Sequence, residues 1–241
     1  MLHGFGGSAR SFDLVIAALE KIVSAERCTP QALDLPGHGQ LAHQPSPPTF
    51  EGCVEGVLAR APERFLLCGY SMGGRIALQV ALAAPDRLSG LLLVSASAGI
   101  DSEAERRQRI ASDERLAASL EARPFQEFVG AWRAQPLFAD QPPAVRALAE
   151  EDMLRNDPEG LAAALRGLGA GRMPPLWGRL RSLAVPTVVL VGERDEKYVG
   201  LGRRITALAP EARLVVVEGG HGLLLENPSA VAGAISGLLQ A

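Results

Sequence analysis

Phe65-Leu66-Leu67-Cys68-Gly69-Tyr70-Ser71-Met72-Gly73-Gly74 joins a short apolar run to a G-x-S-x-G turn, and residues 73–84 continue with helical periodicity. The run reads as a buried strand. Its glycines permit a tight turn, and Ser71 stands at the apex, where a strand-to-helix turn lifts the hydroxyl clear of the sheet. Five residues of this pattern occur in many ordinary βα turns, because glycine and serine are common. The strand before and the helix after are what make the motif informative.

Outward from this turn, apolar runs at 31–35, 91–95, 187–192 and 214–217 alternate with amphipathic stretches at 11–22, 200–209 and 228–239. That alternation predicts an α/β fold, with βαβ units on a mostly parallel sheet. Residues 98–178 contain no β-like run and carry helix-period patterns at 103–120, 124–134, 143–154 and 159–168. They are expected to form a helical cap inserted into a core made of residues 1–97 and 179–241. Such an insertion covers an active site and supplies specificity. The chain opens Met1-Leu2-His3-Gly4, with no strand ahead of the loop that a strand should feed.

The chain has 241 residues, 47% of them hydrophobic, and a formal net charge of -3, enough for one substantial core and without the positive field that gathers nucleic acid or anionic membrane. A small-molecule substrate is the better expectation, with a monomer or small homo-oligomer. Three cysteines, Cys28, Cys53 and Cys68, do not form a disulfide framework, and no basic-then-apolar leader or membrane-length apolar run is present, so a cytoplasmic location is expected. No metal is expected, because the histidines lack helical spacing with a carboxylate and the cysteines are scattered. The turn at Ser71 also lacks the Lys-Ser/Thr ending of a phosphate-binding loop.

A serine hydroxyl is a weak nucleophile or base at neutral pH and needs an imidazole in reach, with a carboxylate to fix the imidazole tautomer. His221, in Glu218-Gly219-Gly220-His221-Gly222 after the last apolar run, is the candidate imidazole. Asp195, just past 187–192, is the candidate carboxylate, with Glu193 and Glu196 as rivals. The order Ser, Asp, His is the one used when a G-x-S-x-G elbow carries the nucleophile. His3-Gly4-Phe5-Gly6-Gly7 has the character of a loop donating one backbone N–H to an oxyanion hole, through Phe5, with Met72 giving the second. Asp34-Leu35-Pro36-Gly37-His38-Gly39 reads as an architectural turn.

With these residues in place the chain resembles the α/β-hydrolase superfamily along almost its whole length. Within it, the chain is most similar to the 2-succinyl-6-hydroxy-2,4-cyclohexadiene-1-carboxylate synthases of menaquinone biosynthesis. The narrowing features are Arg75 after the elbow, Glu105-Arg106-Arg107-Gln108-Arg109 followed by Ser112-Asp113, Trp132 with Gln135-Pro136-Leu137-Phe138, and Gly192-Glu193-Arg194-Asp195-Glu196-Lys197-Tyr198. The resemblance implies a cofactor-free lyase that eliminates pyruvate from an enolpyruvyl cyclohexene polycarboxylate, with Ser71 as a base toward a carbon-bound proton. It further implies that Arg75, Arg109 and Arg155 meet carboxylates, as planar forks suit them. Tyr70 and Trp132 would shape the apolar wall, and His3 counts among the substrate contacts. Arg106 and Arg107 are expected on a solvated face.

The family carries a strand ahead of the His-Gly loop, between the strands holding Asp34 and Ser71. Without it, the strand leading to Ser71 is expected to expose an unpaired edge, making the chain less stable than a version extended upstream. Two other functions fit the residues: a carboxylesterase or thioesterase in which Ser71 is acylated, and a non-catalytic small-ligand binding protein on the same scaffold.

Overall fold

The computed structural model describes residues 1–43 and 46–240. A first helix, α1 (Asp13–Glu20), and a second, α2 (Phe50–Arg60), precede strand β1 (Phe65–Tyr70), which runs into α3 (Met72–Ala83) and then β2 (Leu88–Val94). After a long helical segment come β3 (Thr187–Gly192), α8 (Glu196–Leu208), β4 (Ala212–Val217), α9 (Leu223–Glu226) and α10 (Pro228–Leu238). The strands lie in chain order, β1-β2-β3-β4, and every pair is parallel.

Period-two alternation sends their side chains to two cores. Leu67, Leu91, Leu93, Val189 and Val191 pack with Phe50 and Val57 of α2, Ile76 and Val80 of α3, and Ile205 of α8. Cys68, Leu92, Val94, Val188 and Leu190 pack on the opposite face with Val15 and Leu19 of α1 and Val231 and Ile235 of α10. A parallel sheet covered on both faces has no polar side, which is why these strands read as unbroken apolar runs.

The helical segment between β2 and β3 holds α4 (Glu103–Ala122), α5 (Phe125–Arg133), α6 (Pro143–Leu154) and α7 (Pro158–Leu168). Ser102 caps α4 by accepting from the Glu105 amide, and Asp157 caps α7 by accepting from Glu159 and Gly160. Ala117, Leu120, Phe128, Val129, Met153, Leu161, Ala162 and Leu165 form a buried cluster of their own. The segment is tied to the loops before and after α1 by polar contacts. Asp152 accepts from the hydroxyls of Ser8 and Ser11, both at 2.5 Å, and Asn156 donates to Gly6 O at 3.1 Å while accepting from Gly39 N at 2.9 Å.

Two local expectations change. Residues 31–35 are not a strand: only Leu33 forms a bridge, and its partner is Leu2. Leu2 in turn bridges Gly69, with Leu2 N donating to Cys68 O at 2.8 Å and Tyr70 N donating to Leu2 O at 2.9 Å. Leu2 therefore satisfies the end of β1 nearest Ser71, so that end of its edge is paired. Beside the beginning of β1, bordered by Met1, Leu33, Phe65, Leu66 and Leu67, lies a cavity of about 670 Å³. The second change is α2, which sequence periodicity misses; Thr49 caps it by accepting from Gly52 N at 3.0 Å.

Candidate active site

Ser71 sits at φ 50° and ψ -106°, a backbone conformation that costs roughly 1–3 kcal/mol and persists where the surroundings enforce it. They do so here. The Ser71 amide donates to Val94 O at 2.9 Å, and α3 starts at the next residue. A Cβ on Gly73 would lie 2.2 Å from Leu2 O, and one on Gly69 would lie 2.4 Å from Gly73 O, so the strand, the turn and the first loop close up only because those positions are glycine.

At the end of β3, the Asp195 amide turns back to Gly192 O at 3.0 Å and leaves the carboxylate facing His221. Asp195 Oδ2 lies 2.7 Å from His221 Nδ1, with both side chains almost fully buried, and His221 Nε2 lies 3.2 Å from Ser71 Oγ. Chemical sense fixes the protons: Nδ1–H donates to the carboxylate, and Nε2 accepts from the serine hydroxyl. The His221 loop is pinned from below by Glu226, which accepts from the amides of Gly220 at 2.7 Å and Gly222 at 3.1 Å. The Tyr198 ring lies 4.6 Å from the His221 ring. Burial pushes the Tyr198 phenol up, so it stays protonated at neutral pH.

The glycine loop ahead of α1 is held by two histidines. Gly6 N donates to His38 Nε2 at 3.2 Å, and Leu35 N donates to His3 Nε2 at 3.0 Å. The opposite ring nitrogens lie 2.8 Å from Gly4 O in His3 and 3.2 Å from Pro36 O in His38, so each Nδ1 carries the proton and donates. Both rings are fully buried and meet edge-on at 4.9 Å. Burial pushes both below the ordinary histidine value of 6.5, His38 further because His3 stands beside it, so both remain neutral acceptors. His3 is thus a structural residue with both nitrogens used, which corrects its expected place among the substrate contacts. The architectural reading of Asp34 fits its bonds to the amides of Ala9 at 2.7 Å and Gln40 at 2.9 Å.

Phe5, Met72, Arg75, Arg109 and Trp132 come together around a cavity of about 20 Å³. Arg75 is buried, donates to Leu168 O at 2.9 Å and lies over the Phe50 ring. Desolvation lowers its pKa to about 10, so it remains a cation. Arg109 pairs with Asp113 at 2.8 Å, and burial raises the Asp113 carboxyl against the pull of that guanidinium. A second cavity, of about 70 Å³, is lined by Phe5, Tyr70, Trp132, Arg133 and Phe138. Phe5 and Trp132, their rings 4.8 Å apart, border both spaces.

Arg155 is not at either cavity. It pairs with Glu151 one turn back on α6 and borders a surface hollow with Arg10, Asp13 and Leu14. The residue that does reach the pocket is Arg133, adjacent to Trp132, which sequence reasoning missed along with Gln141, Tyr198 and Glu226. A tyrosine inside Gly192-Glu193-Arg194-Asp195-Glu196-Lys197-Tyr198 was a usable signal for Tyr198. Glu226 gave none. Among the described residues, ligand-capable atoms of His43, Asp157 and Glu159 lie within 4.8 Å of one another at the surface, a kind of acidic group common without an ion. No described helix is long and apolar enough to cross a membrane.

The sequence pattern of the alpha/beta hydrolase family matches residues 1–234. A Salmonella schwarzengrund (strain CVM19633) protein named 2-succinyl-6-hydroxy-2,4-cyclohexadiene-1-carboxylate synthase is 31% identical over 246 residues, covering 99% of this chain and 92% of that one. A Bacillus subtilis (strain 168) protein provisionally given the same name is 32% identical, covering 94% of this chain and 84% of that one. Among solved structures, MenH from S. aureus superposes with a TM-score of 0.85 at 31% identity, covering 99% of this chain and 91% of that one.

Proposed function

The chain belongs to the alpha/beta hydrolase family, and from that premise we propose that it is a 2-succinyl-6-hydroxy-2,4-cyclohexadiene-1-carboxylate synthase acting in the cytoplasm. In this reading it eliminates pyruvate from 2-succinyl-5-enolpyruvyl-6-hydroxy-3-cyclohexene-1-carboxylate in menaquinone biosynthesis. The observation that carries it is a hydrogen-bonded Ser71–His221–Asp195 chain in which the two neighbours of Ser71 each line a small cavity: Met72 one bordered by Arg75 and Arg109, and Tyr70 one bordered by Arg133 and aromatic rings. An acidic, unsaturated ring asks for that combination.

Ser71 Oγ takes a proton from the ring carbon beside the succinyl ketone while its own proton passes to His221 Nε2. Asp195 stabilises the imidazolium that forms. Charge develops on the ketone oxygen, where the amides of Phe5 and Met72 are the proposed donors; each donor of this kind is worth roughly 2.7–4 kcal/mol. As the ketone re-forms, the electron pair moves through the ring and the carbon–oxygen bond to the enolpyruvyl group breaks; the enolate of pyruvate that leaves takes the proton held by the His221 imidazolium and departs as pyruvate, restoring the neutral imidazole. Arg75 and Arg109 hold carboxylates, and the segment 98–178 serves as the cap. The cavities, about 20 and 70 Å³, fall far short of the roughly 300 Å³ at the lower end of small-molecule sites, so the cap moves to admit substrate.

A pyruvate-release assay with the enolpyruvyl cyclohexene substrate tests the proposal. Ser71→Ala should cost about a hundredfold or more in kcat, and Arg109→Ala about ten- to a hundredfold in kcat/KM. An absence of pyruvate release from the unaltered protein, together with burst kinetics on p-nitrophenyl esters, would point instead to an acyl-enzyme hydrolase.

A further inference from the structure

We propose that Arg133 is a third carboxylate-binding fork of this pocket, set across the Phe5–Trp132 partition from Arg75 and Arg109 and taking the part that sequence resemblance gives to Arg155. The proposal rests on the reading of the site as a polycarboxylate site and extends it to a residue outside the matched motifs.

Arg133 ends α5 with only 7% of its surface exposed, yet no carboxylate contacts it among the described residues. Its Nη2 donates to Gln141 Oε1, a neutral acceptor, and its Nε has no partner. Phe138 supports the flat guanidinium, its ring centroid 4.0 Å from the Arg133 carbon. The nearest compensating charge is indirect. Gln141 Nε2 donates to Glu226 Oε1 at 3.0 Å, and Glu226 is already bound by Arg194 at 2.9 Å and by the amides of the His221 loop. A purely structural arginine buried this deeply would have its donors filled, because an unpaired buried charge is costly.

Arg133 also borders the cavity lined by Tyr70, Phe5 and Gly222, so the guanidinium with the unpartnered, buried Nε stands at the wall of a space that the chain neighbours of Ser71 and His221 also line. Planar and supported from below, the guanidinium is suited to a carboxylate approaching edge-on. Arg155, exposed and paired with Glu151, has neither property. The two cavities thus present cations at opposite ends of an aromatic partition, an arrangement that distinguishes a ligand with separated carboxylates from one with a single acid group.

Two measurements test this. In the pyruvate-release assay, Arg133→Gln should raise KM about ten- to a hundredfold with kcat changed less than threefold, and Arg133→Lys should fall between Gln and the unaltered protein. Arg155→Gln should leave KM within twofold. Independently of turnover, calorimetric titration with succinate and with levulinate, which carries one acid group fewer, should show tighter binding of succinate to the unaltered protein, and Arg133→Gln should erase that preference. The titration separates this proposal from the reaction assigned above: absent pyruvate release with an Arg133-dependent succinate preference would sink the reaction and keep the fork. Unchanged KM and unchanged preference in a folded Arg133→Gln protein would overturn the fork. If Arg133→Gln does not fold, Arg133→Lys decides, and KM and preference equal to those of the unaltered protein would overturn it as well.

Discussion

Ser71, Asp195 and His221 each sit where a strand has just ended, whereas Arg109, Arg133 and Arg155 ride on a helical segment fastened to the glycine loop and the turn after it through Asp152 and Asn156. The strand ends are set by parallel pairing and by glycines that let backbone meet backbone, so the three groups have little freedom to drift. The helical arginines stand on long stems and are each held by one side chain: Asp113, Gln141 or Glu151. In the reading proposed above, the first region fixes the geometry of bond breaking, and Arg109 and Arg133 of the second select what is brought to it. The same scaffold can therefore change its substrate by exchanging helical side chains without disturbing the sheet.

If that division is right, damage to the sheet half should appear in turnover and damage to the helical half in affinity. Asp195→Asn keeps the shape but loses control of the His221 tautomer, and kcat should fall on the order of 10⁴-fold with KM nearly unchanged and the fold intact. Steady-state kinetics with circular dichroism checks it, and a large KM change would blur the distinction.

Asp152→Asn strikes the seam between the regions. It removes a charged acceptor shared by two hydroxyls and by the Ser8 amide, and should cost about 2 kcal/mol in stability while raising KM several-fold. Denaturant melts beside kinetics would measure both, and a drop in kcat alone would place the seam inside the reacting half.

The smallest effect concerns pH. His3 and His38 are held neutral in the folded chain below the ordinary value of 6.5, while the unfolded chain takes up protons there. Their stabilisation is complete above 6.5 and is lost as pH falls toward the depressed folded-state values, by up to about 1.4 kcal/mol per unit for each ring. Thermal melts at several pH values should be less acid-sensitive in His38→Gln than in the unaltered protein. Equal slopes would remove His38 from the account.

What was legible in the sequence follows the same line. The elbow at 65–74 and the order of Ser71, Asp195 and His221 could be read because a strand, a glycine turn and a helix are local signals. The helices between β2 and β3 could be read because Ser102, Pro143 and Asp157 mark where three of them start. The failures were matters of long range. Residues 31–35 have strand-like composition, but a strand exists only with a partner, and Leu33 finds one residue of partner in Leu2. Gly52 and Gly56 dilute the periodicity of α2. Which helical arginine turns inward depends on where α5 and α6 dock, so sequence alone does not tell that Arg133 borders a cavity while Arg155 pairs with Glu151 at the surface. His3 looked like a ligand because nothing nearby in sequence announces that Leu35 will occupy its ring nitrogen.

Asn156 grips Gly6 from the helical side, and Gly6 is the neighbour of Phe5. On the reading proposed above, lifting those helices to let a molecule in would tug on the turn whose Phe5 amide is the proposed donor to the developing negative charge. An unlatched protein would then also be a disarmed one, and the electron-rich ring would form only after the door has shut, out of reach of bulk water that would quench it.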